Sequence, residues 1–175
     1  MEILNYNPPL NPYLEIVFQD DDIVIFNKPS GLLSVPGKEH ADCLQARAQT
    51  VFPTATIVHR LDMATSGLMV MALNKPAHRH ISKQFELRET AKVYQAIVFD
   101  ILQQDSGVID LPLICDWPNR PKQMVDHQQG KKALTQWSVL ERYANTTRVE
   151  LKPITGRSHQ LRVHMLSIQH PIIGD

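Results

Sequence analysis

Two cysteines and seven glycines deny this chain of 175 residues several kinds of chemistry. Cys43 and Cys115 stand far apart and match no zinc or dithiol spacing. The glycines form neither G-x-G-x-x-G nor G-x-x-x-x-G-K, so neither familiar cradle for phosphates is present. There is no G-x-S-x-G elbow to raise a serine nucleophile. The eight histidines include no H-E-x-x-H pair and no Cys/His cluster. His78 and His80 would leave a helix on different sides, and His159 and His164 are five apart. No metal site is expected. No apolar run approaches the ~20 residues of a membrane span, so no membrane partner is expected. The first fifteen residues carry no Lys or Arg and lack the basic start of a secretory signal. Widely spaced cysteines and the missing signal fit a reduced, cytoplasmic protein.

What is present is enough for one domain with a sizeable core, and a single domain over residues 1–175 is the expectation. The net charge is zero, but the charges are not evenly spread. Residues 1–27 hold five acids and no Lys or Arg. Residues 117–164 hold nine Lys or Arg against three acids. A chain polarised in this way can present one basic face, as a nucleic-acid binder needs. A solvated surface with a few ion pairs would give the same count.

Along the chain, "LEIVFQDDDIVIFNKP" reads as two strands around an acidic turn, the second stopping at Lys28. "SGLLSVPGK" is a loop, and Asp42 is placed to cap a helix running to about Val51. Strands are expected over Ile57–Leu61 and Gly67–Leu73. Asn74 then reads as the N-cap of a helix to about Arg88, with Pro76 in its first turn. "AKVYQAIVF", Val108–Cys115, Thr135–Leu140 and Arg148–Leu151 read as strands, and Arg157–Ile168 as the last helix. Strands outnumber helices and do not alternate with them. That pattern predicts an α+β fold on a mostly antiparallel mixed sheet flanked by helices and loops.

Three constellations bear on chemistry. In "HRLDMATSGLMVMALNK" (His59–Lys75), Asp62 follows one strand and enters the next through Thr65, Ser66 and Gly67. A carboxylate beside a core is costly unless it is paired or used. Asp62 is therefore either a nucleophile or base, or a structural turn aspartate paired with Arg60. In "TGRSHQLRVHMLSIQHP", Leu161, Met165 and Ile168 form an apolar stripe and Arg162 flanks it. A partly buried Arg wants a carboxylate, and Asp62 is the candidate. In "KVYQAIV", Tyr94 shares a strand face with Lys92. It is either core packing, or a ring that stacks on a base and joins in proton transfer.

These segments, in this order, resemble the RluA family of pseudouridine synthases. The resemblance rests on "NKPSGLLSVPG", "HRLDMATSGLMVMALNK", "KVYQA", "GKKALTQWSVLE" and "TGRSHQLRVHM…HPIIGD". It runs from about Asp20 to Asp175. "LPLICDWPNRPKQ" points, within the family, to members acting on both 23S ribosomal RNA and transfer RNA. The resemblance implies the family's catalytic fold and an isomerisation of uridine in RNA to pseudouridine that uses no cofactor. It also implies Asp62 as the essential carboxylate, Tyr94 as the active-site tyrosine and Arg162 as the basic partner of the aspartate. Arg60, Lys92, Arg120, Lys122, Arg157 and His159 are the residues expected to contact RNA. The RNA partner is expected to be a tRNA anticodon stem-loop, a 23S hairpin, or both, bound by a monomer. Family members run several tens of residues past "HPIIGD", so the chain is expected to be C-terminally truncated, and it has no room for a separate N-terminal RNA-binding domain. Three routes for Asp62 stay open: attack at C1′, attack at C6, or removal of a C2′ proton. A chain that binds RNA without turnover is the alternative.

Overall fold

The computed structural model describes residues 6–174. Glu2 and the closing Asp175 of the HPIIGD segment lie outside the described residues. The chain folds as two compact units, the first ending at Glu89 and the second beginning at Thr90.

In the first unit, β1 (Ile16–Gln19), β2 (Ile23–Lys28), β3 (Thr56–Ile57) and β4 (Gly67–Ala72) form one antiparallel sheet in the order β1-β2-β4-β3. The acidic turn works as a turn should: Asp20 Oδ1 accepts from the Asp22 and Ile23 amides, both at 2.8 Å. Side chains alternate along β2, so Val24, Phe26 and Lys28 all point into the core. Val24 and Phe26 pack there with Leu32, Leu44, Ala48, Met69 and Met71. The same period of two buries a lysine.

Helix α1 (Leu44–Gln49) is shorter than expected and is capped by Cys43, whose Sγ accepts from the Ala46 amide at 3.3 Å. Asp42 is not the cap. Its carboxylate takes a two-pronged hydrogen bond from the buried Arg47 at 2.8 and 2.7 Å. Arg47 also donates to Pro9 and Tyr13 carbonyls, which ties down the N-terminal arm. Helix α2 (Lys75–Leu87) follows the sequence reading: Asn74 Oδ1 caps Ala77 N at 2.9 Å, and Arg88 closes the helix at φ 61°.

The second unit holds an antiparallel sheet in the order β5-β10-β9-β6. Its strands are β5 (Tyr94–Phe99), β6 (Ser106–Asp110), β9 (Leu134–Arg142) and β10 (Thr146–Pro153). β7 (Leu113–Cys115) and β8 (Gln123–Val125) make a separate hairpin. The expected strand Val108–Cys115 is therefore two strands. Pro112 has no amide to donate to a ladder, and the chain leaves β9 there to pair with β8 and Lys131. The core of this unit gathers Val98, Ile109, Trp137, Val149, Leu151 and Met165. Helix α3 (Gln160–Ser167) sets Met165 into that core, with Leu161 and Ile168 packed at its margin. Among the described residues no helix is long and apolar enough to cross a membrane.

Candidate active site

Of the expected strand Ile57–Leu61 only Ile57 lies in a strand, at the end of β3, and beyond it side chains take over the bonds that a ladder would make. The Val70 amide donates to His59 Nε2 at 3.1 Å, and the His59 ring stacks on Phe85 with centroids 4.8 Å apart. The buried Ser34 hydroxyl donates to the Leu61 carbonyl at 2.6 Å and accepts from the Leu61 amide at 3.1 Å. Two residues on, the Gly31 amide donates to the Met63 carbonyl at 2.8 Å. Ser30 Oγ donates to the Ala64 carbonyl at 2.7 Å. Gly31 sits at φ +85°, which a side chain would resist. The loop through Asp62 is thus sewn to the segment Lys28–Ser34 on both sides of the aspartate. The sewing uses backbone atoms of Leu61, Met63 and Ala64.

Lys28 completes this clamp, and it was missed as a site residue in the sequence. Its side chain is fully buried, and Nζ donates to the carbonyls of Pro29 (2.9 Å), Leu32 (2.7 Å) and Met63 (3.2 Å). Three donors meet three acceptors. Burial lowers the ammonium pKa to about 8, and the nearby Asp62 carboxylate pulls it partly back up. A buried cation therefore lies close enough to Asp62 to feel its charge. The available signal was parity: in "IVIFNK" the lysine falls on the same face as Val24 and Phe26. Arg60, in the same loop, is exposed, while Asp62 is half-buried.

Tyr94 and Arg162 belong to the second unit. Tyr94 opens β5, pairs in register with Leu151 and packs at the edge of that unit's core. Lys92 lies two residues before β5, and a Cβ added at Gly156 would come within 3.5 Å of its Nζ. Both Lys92 and Arg162 are half-buried. Arg157 and His159 precede α3 rather than forming its first turn, and His159 adopts φ 51°. Arg157 Nε donates to the Lys132 carbonyl at 3.1 Å.

The start of α3 is held by a buried polar chain whose hydrogens are forced. His164 Nε2 faces the Leu111 carbonyl at 3.0 Å, so it must carry the proton. Its Nδ1 then accepts from Thr135 Oγ1 at 2.9 Å, and that oxygen accepts from Gln160 Nε2 at 3.0 Å. Gln160 Oε1 takes the Thr155 hydroxyl at 2.7 Å and the Arg157 amide at 3.0 Å. Burial lowers the His164 pKa below its usual 6.5, opposed by the Leu111 hydrogen bond and the Asp110 charge. The unfolded chain therefore takes up this proton first. Stability should hold above pH 6.5 and fall as pH drops through the lowered folded value. Urea midpoints measured from mildly alkaline to mildly acid pH should show this fall in the wild type and less of it in His164→Gln. Equal pH slopes in the two proteins would overturn the assignment.

Arg120 and Lys122 are at the tip of the β7–β8 hairpin, both exposed. Among the described residues no three His, Cys, Asp or Glu are grouped to hold a metal ion. His78 and His170 instead bond the carbonyls of Ile57 and Phe99.

The profile of the RNA pseudouridylate synthase family matches residues 22–167. Over its whole length the chain is 58% identical to the dual-specificity RNA pseudouridine synthase RluA of Escherichia coli strain K12, spanning 81% of that protein. It is 55% identical to the RluA of Vibrio vulnificus strain CMCP6, spanning 73% of it. Among solved structures, human RNA pseudouridylate synthase domain containing 1 matches with a TM-score of 0.77 at 32% identity. That match covers 93% of this chain and 68% of the human one.

Proposed function

This chain belongs to the RNA pseudouridylate synthase family, on its RluA branch, and on that footing we propose that Asp62 is the carboxylate that converts uridine to pseudouridine. In this isomerisation the bond from N1 to C1′ breaks, uracil turns, and C5 joins C1′. The C5 proton leaves and N1 gains one, so nothing is oxidised or hydrolysed. The observation that carries the reading is the clamp on the Asp62 loop. Four hydrogen bonds to backbone atoms of Leu61, Met63 and Ala64 come from Ser30, Gly31 and Ser34, and a fifth from buried Lys28. A carboxylate that merely closed a turn would not need such a support.

In this reading Tyr94 stacks on the uracil and helps remove the C5 proton, and Arg162 is the basic partner of Asp62. Arg60, Lys92, Arg120, Lys122, Arg157 and His159 contact RNA. The catalytic domain comprises both units, as the span of the family match suggests. The substrates are a tRNA anticodon stem-loop and a 23S hairpin, by analogy with the dual-specificity relatives. The enzyme works as a cytoplasmic monomer. The target base must leave its stack, at a cost of a few kcal/mol, offset by phosphate contacts that weaken with salt.

Release of tritium from uracil C5 in labelled stem-loops tests the reaction itself. Within that assay Arg162→Met should lose far more turnover than Arg148→Met, since the Arg148 guanidinium is spent on Gln95 across the β5–β10 pair. Similar losses in the two variants would remove Arg162 from the site.

A further inference from the structure

We propose that the tip of the β7–β8 hairpin is a stacking platform for an unpaired RNA base, with Trp117 as its face and Arg120 and Lys122 as its charges. The two tryptophans of the chain are used in opposite ways. Trp137 is in the core, 7% exposed, whereas Trp117 is 64% exposed. A large ring left in water on a surface element needs a reason. Arg120 supplies half of one: its Cζ lies 4.5 Å from the Trp117 ring centroid. Arginine over an indole leaves much of the ring uncovered and puts a fixed positive charge beside it. Bases, which carry a π face next to a phosphate, match that pair of features.

The tip is built to hold this shape. The Asp116 amide donates to the Lys122 carbonyl at 3.0 Å, and the Lys122 amide to the Asn119 carbonyl at 3.1 Å. The Asn119 amide donates to the Asp116 carbonyl at 3.0 Å, and Asn119 Nδ2 to Asp116 Oδ2 at 2.9 Å. Pro118 and Pro121 restrict the backbone further. The one carboxylate at the tip is thus turned toward Asn119, leaving Arg120 and Lys122 as its exposed charges. At the other end of the hairpin Lys131 bridges Leu113, and the neighbouring Lys132 is exposed. Basic groups therefore accompany the hairpin from base to tip. A peptide-binding face would show an apolar groove, and a rigid ring flanked by cations suits a looped-out nucleotide better.

This inference rests on the RNA-modifying reading above, and binding is measured apart from turnover so that the two can fail separately. The probes are an anticodon stem-loop RNA and a fully paired duplex of the same length, each titrated against wild type, Trp117→Ala, Trp117→Phe and Arg120→Ala. Trp117→Ala should weaken stem-loop binding and raise KM about tenfold, with kcat nearly unchanged. Trp117→Phe should recover most of the loss, and Arg120→Ala should lower the salt slope by about one. The duplex should be bound alike by wild type and Trp117→Ala. Equal stem-loop affinity in wild type and Trp117→Ala would overturn the proposal. So would an equal loss on the duplex, or a fall in the sedimenting mass of the RNA-free protein, which would make the ring a contact between copies. Should Trp117→Ala fail to fold, quenching of 2-aminopurine placed in the loop, compared between wild type and Arg120→Ala, decides the matter. Absence of any change there is the refuting result. A wild type that binds the stem-loop but forms no pseudouridine would refute the enzyme reading and leave the stacking result standing.

Discussion

Asp62→Asn should abolish release of tritium from uracil C5 while leaving the protein folded and bound to RNA. Asparagine keeps the size and shape of the side chain and removes only its charge. The bonds that fix the loop run to Leu61, Met63 and Ala64, so they survive the change. What is lost is the group that attacks the sugar or base, or takes its proton. General-base or nucleophilic carboxylates contribute on the order of 10³-fold or more. Turnover should fall at least that far, with stem-loop affinity and urea midpoint little altered. A variant that still released tritium within about tenfold of wild type would have lost only a peripheral interaction. Asp62 would then be a structural turn residue. A wild type that bound RNA yet released no tritium would instead favour the non-catalytic alternative.

The second large effect is expected at Lys28. Methionine there fills the volume but donates nothing. Of the three carbonyls that Lys28 serves, that of Met63 keeps the Gly31 amide, while those of Pro29 and Leu32 lose the fully buried lysine as donor. Each unsatisfied buried acceptor costs ~1–3 kcal/mol, partly relieved if water enters. A stability loss of about 2 kcal/mol or more is therefore expected for Lys28→Met, with slower turnover because the Met63 carbonyl beside Asp62 then keeps only its bond from the Gly31 amide. Lys28→Arg should not restore it, since a planar fork does not match three acceptors gathered around one nitrogen.

The lysine also has a pH signature. Its folded value of about 8 lies below the ordinary 10.5, a gap worth about 3 kcal/mol. A group with a depressed folded pKa leaves its stability intact above the unfolded value and removes it as pH falls through the folded one. Wild type should thus lose stability as pH drops from about 10.5 to 8 and change little from this source below that. Lys28→Met should lack that slope. Chemical denaturation at several alkaline pH values checks it, and parallel curves for the two proteins would show that Lys28 is not buried as a cation.

Much of the fold could be read from local pattern. The acidic turn, the Asn74 cap with Pro76 behind it, the β-rich run after Tyr94 and the antiparallel character of the sheets each follow from neighbours in the chain. They depend on side-chain parity, capping and turn chemistry, which act over a few residues. Errors fell where a distant partner outbid the local preference. Asp42 has the chemistry of a cap, but Arg47 takes its carboxylate and Cys43 caps instead. Gln160 and His164 look like ordinary residues of a helix, yet they bond Leu134, Thr135 and Leu111 and so delay the helix beyond Arg157. Ile57–Leu61 has strand composition, but Ser34 and His59 replace its ladder.

The candidate site divides along the same line. By itself the sequence determined which residue types are available and the motifs that mark Asp62, Tyr94 and Arg162. It also determined, through a period of two, that Lys28 faces inward. Only the tertiary structure decided what that inward lysine does. Its nitrogen meets the carbonyl of Met63, 35 positions away in the chain, and no local rule encodes a contact whose partners meet only when the core closes. The exposed Trp117 is the converse case. Its composition reads as core, and only the hairpin that carries it outward shows a ring left open beside Arg120.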